Sequence, residues 1–134
     1  MNNTDDLGKL LLRVALGVMI LLHGVAKILS GPSFVIGAAT SAGLPAAVGY
    51  LVYVGEVLAP VLLIFGVWSR LAALIIAGNM VFAVFLVHMK QLWTLNSTGG
   101  WSLELQGMFL FTALAIVLLG AGRFSIGGRG GRWN

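Results

Sequence analysis

The sequence predicts an all-α fold: an integral membrane bundle of four helices. Three observations predict it. Of the 134 residues, 59% are hydrophobic and only 9% are charged, where a soluble domain carries about a quarter charged. The apolar residues fall into four runs of near-spanning length. Short Gly-, Pro- or Ser-marked breaks separate those runs. A chain this poor in charge cannot coat itself for water, so a bilayer is its natural solvent. Helices close their own backbone hydrogen bonds there.

The first run covers about 10–29, after Asp5 and Asp6 and before Gly31-Pro32. Its acidic start and its length predict a retained span rather than a cleaved signal peptide. The second covers 46–68 and starts behind Pro45, a favourable first-turn residue. The third covers 71–87. The fourth covers 103–121, with Ser102 as a candidate N-cap. Residues 122–134 form a Gly-rich basic stretch, expected to be a flexible tail on anionic lipid. The whole chain reads as one transmembrane domain.

With four spans, both ends of the sequence share a side with the 68–71 turn. That side holds Lys9, Arg13, Arg70, Arg123, Arg129 and Arg132, against Lys27 and Lys90 opposite. The positive-inside rule then places the N and C termini in the cytoplasm and the protein in the cell inner membrane. In the first outer loop, Ser33 and Gly43 bracket a short interfacial helix. The second carries Trp93 and Trp101 at belt positions, and an Asn96-Ser97-Thr98 sequon taken as chance.

Absence of cysteine excludes disulfides, thiolate metal sites and thiol relays. The basic residues sit at segment ends rather than in one patch, so no nucleic acid partner is expected. The lipid bilayer, a small redox molecule, and a partner protein or second copy are.

Ionisable groups inside spans are costly and normally face a bundle interior or a wet cavity. His23 and Lys27 stand four residues apart, about 40° around one helix face. Lys27 alone reads as a snorkelling cation and His23 as a hydrogen-bonded imidazole. Arg13, about 21 Å below Lys27, reads as an anchor at the inner boundary. Glu56, mid-span in YVGEVLAP, is too deep to snorkel. It needs a proton or a cation, and Lys27, His23 and His88 are the basic residues within reach. Asn79 reads as interhelical glue. Glu104, in the first turn of the fourth run, suits the helix dipole.

Together His23, Lys27, Glu56, His88 and Glu104 come from all four runs and fall in the outer half or midplane. Such convergence predicts a polar pocket in the bundle. Acids, imidazoles and a lysine suit a quinone and its protons. The histidines equally suit haem, or with the acids a metal. The catalytic candidates are Glu56, His88 and Lys27, with His23 and Glu104 as further cofactor contacts. The competing expectation is a non-enzymatic scaffold subunit, in which these charges only set helix register.

The order and spacing of several motifs resemble the DoxX family of small four-span membrane proteins. LLRVALGVMILLHGVAKIL is similar to its first span, with Arg13, Gly17, Gly24 and Lys27. SAGLP resembles its loop before span two. VGEVLAPVLLIFGVWSRLAAL carries its glutamate, Glu56, and its Gly66-to-Arg70 turn. FLVH ends in its histidine, His88, and GAGRFSI resembles its closing motif. The resemblance covers about 10–126 and implies a membrane component of a redox system. Relatives include subunits of thiosulfate:quinone oxidoreductases and proteins linked to quinone resistance. Lacking cysteine, this chain would leave sulfur chemistry to a partner or to bound substrate.

Overall fold

The computed structural model describes residues 2–134 and shows an all-α protein of five helices. They are α1 (Asn3–Ser30), α2 (Ser33–Ser41), α3 (Ala46–Phe65), α4 (Ser69–Gln91) and α5 (Glu104–Leu119). α1, α3 and α4 are long and apolar enough to cross a membrane. α5 is apolar but has 16 residues, about 24 Å, short of a hydrocarbon core of about 30 Å. Gly120, at φ 80° and ψ −177°, stops it two residues before the predicted end. α2 is the predicted short helix of the first loop, though Pro32 rather than Ser33 precedes it. Ser102 does not cap α5. Its Oγ instead accepts a hydrogen bond from Thr94 within the second loop, 2.8 Å away.

α1, α3, α4 and α5 pack in a ring, and α2 lies against the first turns of α3 and the last turns of α4. The core is built of Leu16 and Ile20 on α1, Leu63 on α3, Ile76 and Met80 on α4, and Phe109 and Ile116 on α5. Small residues, such as Ala59, Ala72, Ala73 and Ala113, are wholly buried between helices and let backbones approach closely. The outward faces are greasy: Leu11, Leu22, Leu29, Phe85, Phe111 and Leu118 are all more than half exposed. That is the surface a lipid-embedded bundle presents.

One end of the bundle gathers all five arginines. Two expectations change here. Arg13 is no boundary anchor; its side chain is fully buried. Its guanidinium donates to the carbonyls of Leu63 (2.9 Å) and Ile64 (3.3 Å) at the end of α3, and to those of Ala121 (3.0 Å) and Phe124 beyond α5. Helix ends leave carbonyls without intrahelical partners, and Arg13 satisfies those of two elements at once. Arg70 does the same for Val117 and Leu118, at 3.0 and 3.2 Å.

Residues 122–134, expected to be a flexible tail, instead fold back over this end. Ile126 and Gly127 donate to the carbonyls of Phe65 and Gly66, both at 3.0 Å. Arg70 N donates to Trp133 O at 2.8 Å. Asn134 is buried and accepts from Ser69 N at 2.9 Å. Buried Asp6 pairs with Arg129 and accepts from Arg123 N at 3.1 Å. Gly66 is the hinge of this assembly. At φ 74° it ends α3 with hydrogen bonds from its own N and Val67 N to Leu63 O and Leu62 O. A Cβ there would collide with Ser125 and Arg13.

Candidate functional site

The opposite, loop end holds the polar groups of the spans. Its geometry starts at Pro60. Proline has no N–H and crowds the carbonyl four residues back, here that of Glu56. The helix responds with a π-helical turn over Val54–Leu58, in which Ala59 N reaches back five residues to Val54 O. The Glu56 carbonyl turns onto Gly24 of α1, where any Cβ would strike it. Glycine at 24 thus lets α1 and α3 touch, and the contact puts Lys27, one turn further along, beside the Glu56 carboxylate.

Lys27 Nζ donates to Glu56 Oε1 at 2.9 Å and lies 2.7 Å from Oε2. The glutamate side chain is 6% exposed and the lysine 30%. The ammonium thus faces both oxygens of the buried carboxylate. Tyr53 Oη donates to Lys27 O at 3.2 Å and ties the same two helices.

Beside this pair opens a cavity of about 550 Å³. Lys27 and Glu56 contribute to its wall, as do Asn79 and His88 from α4. The rest of the wall is apolar: Phe34 and Val35 of α2, Leu51 and Val52 of α3, Phe82 and Leu86 of α4. A second π-helical turn, Val84–His88, ends the wall contributed by α4. Such turns are frequent at functional sites because they displace one residue from the helical register. His88 Nδ1 lies 3.0 Å from Gln91 Oε1, one turn on in the same segment.

Of the five residues expected to converge, three meet. Lys27, Glu56 and His88 share the cavity; His23 and Glu104 do not. His23 is exposed, with Nδ1 2.9 Å from the carbonyl of Met19 on its own helix, and its ring meets Phe109 of α5 edge-on at 5.7 Å. The 40° that separates it from Lys27 is enough to turn it onto the α1–α5 seam. Glu104 is exposed, and Asn96 Nδ2 is 3.4 Å from its Oε1 within the second loop. No α5 residue contributes to the cavity. The two histidines therefore share no site that would hold haem between them. No cluster of three or more His, Asp or Glu suited to a metal forms among the described residues.

Asn79 is the functional candidate the sequence reading placed elsewhere. It makes no hydrogen bond to another helix among the described residues and lines the cavity instead. It packs against Gly55, where a Cβ would overlap its amide. The small residue beside Glu56 and the proline four residues after it were the available signals.

A bundle of apolar helices with long membrane-spanning lengths and greasy outward faces defines a multi-pass membrane protein. The DoxX family pattern matches residues 8–89, and the chain belongs to that family. It is 29% identical over 121 residues to a Bacillus subtilis (strain 168) protein named "Putative oxidoreductase CatD", covering 90% of this chain and 85% of that one. It is 33% identical over 116 residues to an uncharacterized Haemophilus influenzae protein, covering 83% and 81% respectively. No solved structure matches the chain.

Proposed function

We propose that this protein is a membrane component of a redox system and binds a quinone, or a similar small redox molecule, in the cavity beside Lys27 and Glu56. The observation that carries this is the buried ion pair opening on about 550 Å³ of mainly apolar space. That volume lies in the usual range for small-molecule sites, and a few polar groups on apolar walls are what such sites present. Lys27 donates to a ring oxygen, Glu56 balances its charge, and His88 near the loop end exchanges protons with water. The name of the Bacillus relative supports a redox role.

In this reading α5 is the fourth span, completed by the apolar residues that flank it. The arginine end faces the cytoplasm by the positive-inside rule. The cavity then opens in the outer half of the inner membrane, within reach of lipid-borne molecules.

Organic extraction of the purified protein, followed by titration of the stripped protein with a short-tailed benzoquinone, tests the proposal. Co-purified quinone, or a saturable rise in unfolding temperature on titration, is the expected result. Neither signal, with a folded protein, removes it. A second reading has one observation of its own: the Lys27–Glu56 contact is direct, as a register-setting pair of a scaffold subunit would be. A Lys27→Met/Glu56→Gln double variant separates the two. A scaffold loses its partner protein; a ligand site loses quinone and keeps its assembly.

A further inference from the structure

Lys27 is the one α1 residue that lines the cavity, and α5 gives none, so the space lies off the bundle axis, between α3 and α4. Lys27 and Glu56 form one wall, and Phe34 and Val35 of α2 cover the loop end. Gly55 and Asn79, in close contact, bring α3 and α4 together at the deep end. Between these limits the lining residues also face outward. Leu51 of α3 is 60% exposed, and Val54 of α3 and Phe82 of α4 are each more than a third exposed. Gly78 of α4 is exposed too. It stands nine residues after Ser69, about 13 Å along α4, at hydrocarbon depth.

Gly78 lacks the packing reason that other glycines of the spans have. Gly17, Gly24 and Gly55 each admit a neighbouring helix, and a Cβ at any of them would collide with it. A Cβ at Gly78 would meet nothing within 4 Å. Glycine weakens a helix interior, so at an open position it lowers stability and gains no contact. What it does is keep the gap between α3 and α4 free of a side chain. It does so at the depth of the ion pair, since its neighbour Asn79 packs on Gly55 beside Glu56.

We infer that the cavity opens sideways into the bilayer between α3 and α4, with Gly78 at the port, and that its ligand is a tail-bearing ring drawn from the lipid. The ring reaches Lys27 and Glu56, while the apolar tail lies in the gap and runs out into the membrane. The inference rests on the proposed ligand class and adds the route of entry, the tail and the port residue. The gap is walled by Leu51, Val54 and Phe82, so a tail leaves lipid chains for surroundings equally apolar. Counted per lipid, the tail therefore adds little affinity; the open port is what admits it. A closed cavity would exclude it.

The test uses the full chain in lipid nanodiscs, stripped of bound small molecules. Dissociation constants, expressed per mole of lipid, are measured for a tail-less benzoquinone and for the same ring with a tail of several isoprene units. On the unsubstituted chain the two are expected to agree within about threefold. Gly78→Ala is expected to bind both as before and to melt no lower. Gly78→Phe is expected to weaken the tailed quinone at least tenfold, leave the tail-less one within about threefold, and keep the unfolding temperature. Gly78→Leu takes its place if the larger ring prevents folding. A tailed quinone that binds the unsubstituted chain more than tenfold less tightly than the tail-less one overturns the inference and leaves the proposed function standing. So does a folded Gly78→Phe or Gly78→Leu chain that keeps its affinity for the tailed quinone, or one that loses both ligands equally. An isoprenoid chain without a ring that displaces the tailed quinone as well as the quinone itself also overturns it, since the gap would then hold any lipid chain. Binding of neither quinone by the unsubstituted chain overturns both readings.

Discussion

Lys27 Nζ of α1 sits 2.9 Å from Oε1 of Glu56 on α3, in the wall of the largely apolar cavity. This pair joins the two helices and supplies the charge at the deep end of the candidate site. Its two roles can be separated by experiment.

Removing Lys27 leaves the Glu56 charge buried alone, which costs about 3 kcal/mol or more; removing Glu56 leaves a lysine that is 30% exposed and costs less. Lys27→Met and Glu56→Gln are each expected to lower the unfolding temperature in detergent. The double variant should recover much of that loss, because no orphan charge remains. All three are expected to lose quinone binding. A double variant no more stable than the singles would show that the pair contributes more than charge balance.

Gly24 is where α1 meets the Glu56 carbonyl, and a methyl there must push the helices apart. Overpacking of this kind costs about 1–3 kcal/mol. Gly24→Ala is expected to destabilise the protein and weaken ligand binding together, because Lys27 moves with α1. The paired readouts are a thermal melt and a ligand titration. A stable Gly24→Ala protein with normal affinity would contradict the close approach.

Arg13 serves carbonyls at the ends of α3 and α5, far from the cavity. Each buried carbonyl left unpaired costs about 1–3 kcal/mol. Arg13→Met is expected to reduce folded yield severely. Arg13→Lys should not rescue it, because one ammonium cannot reproduce the planar fork. Yield of monodisperse protein by size-exclusion chromatography measures the effect.

His88 lines the cavity and His23 does not. His88→Leu is expected to weaken ligand binding about tenfold. His23→Leu and Glu104→Gln should leave affinity within about twofold, on the scale where one hydrogen bond is worth about 1 kcal/mol. Calorimetric titration of the three variants checks the contrast. Equal losses from His23 and His88 would restore the wider site that the sequence suggests.

The site was partly legible in the sequence. Glu56 had to find a cation or a proton, because a mid-span carboxylate cannot snorkel, and Lys27 was within reach. His88 followed from its place at the end of the third run. What the sequence could not resolve was the facing of neighbours on one helix. Four residues separate His23 from Lys27, and that small rotation sends one to the α1–α5 seam and the other to Glu56. Asn79 was misread for a related reason. A polar residue in a span needs a partner, but the sequence does not say whether that partner is a helix or a cavity.

By itself the sequence determined the solvent, the helices and the distribution of charge. An apolar fraction this high permits little but a membrane bundle, and glycine and proline mark its breaks. Only the tertiary structure decided which buried groups meet. Arg13 is a clamp and not an anchor because two helix ends and the folded-back 122–134 stretch bring their free carbonyls to it. The Lys27–Glu56 pair exists because Gly24 admits the carbonyl that Pro60 frees. Both outcomes depend on backbone approach between segments distant in the chain, a quantity no local pattern of residues encodes.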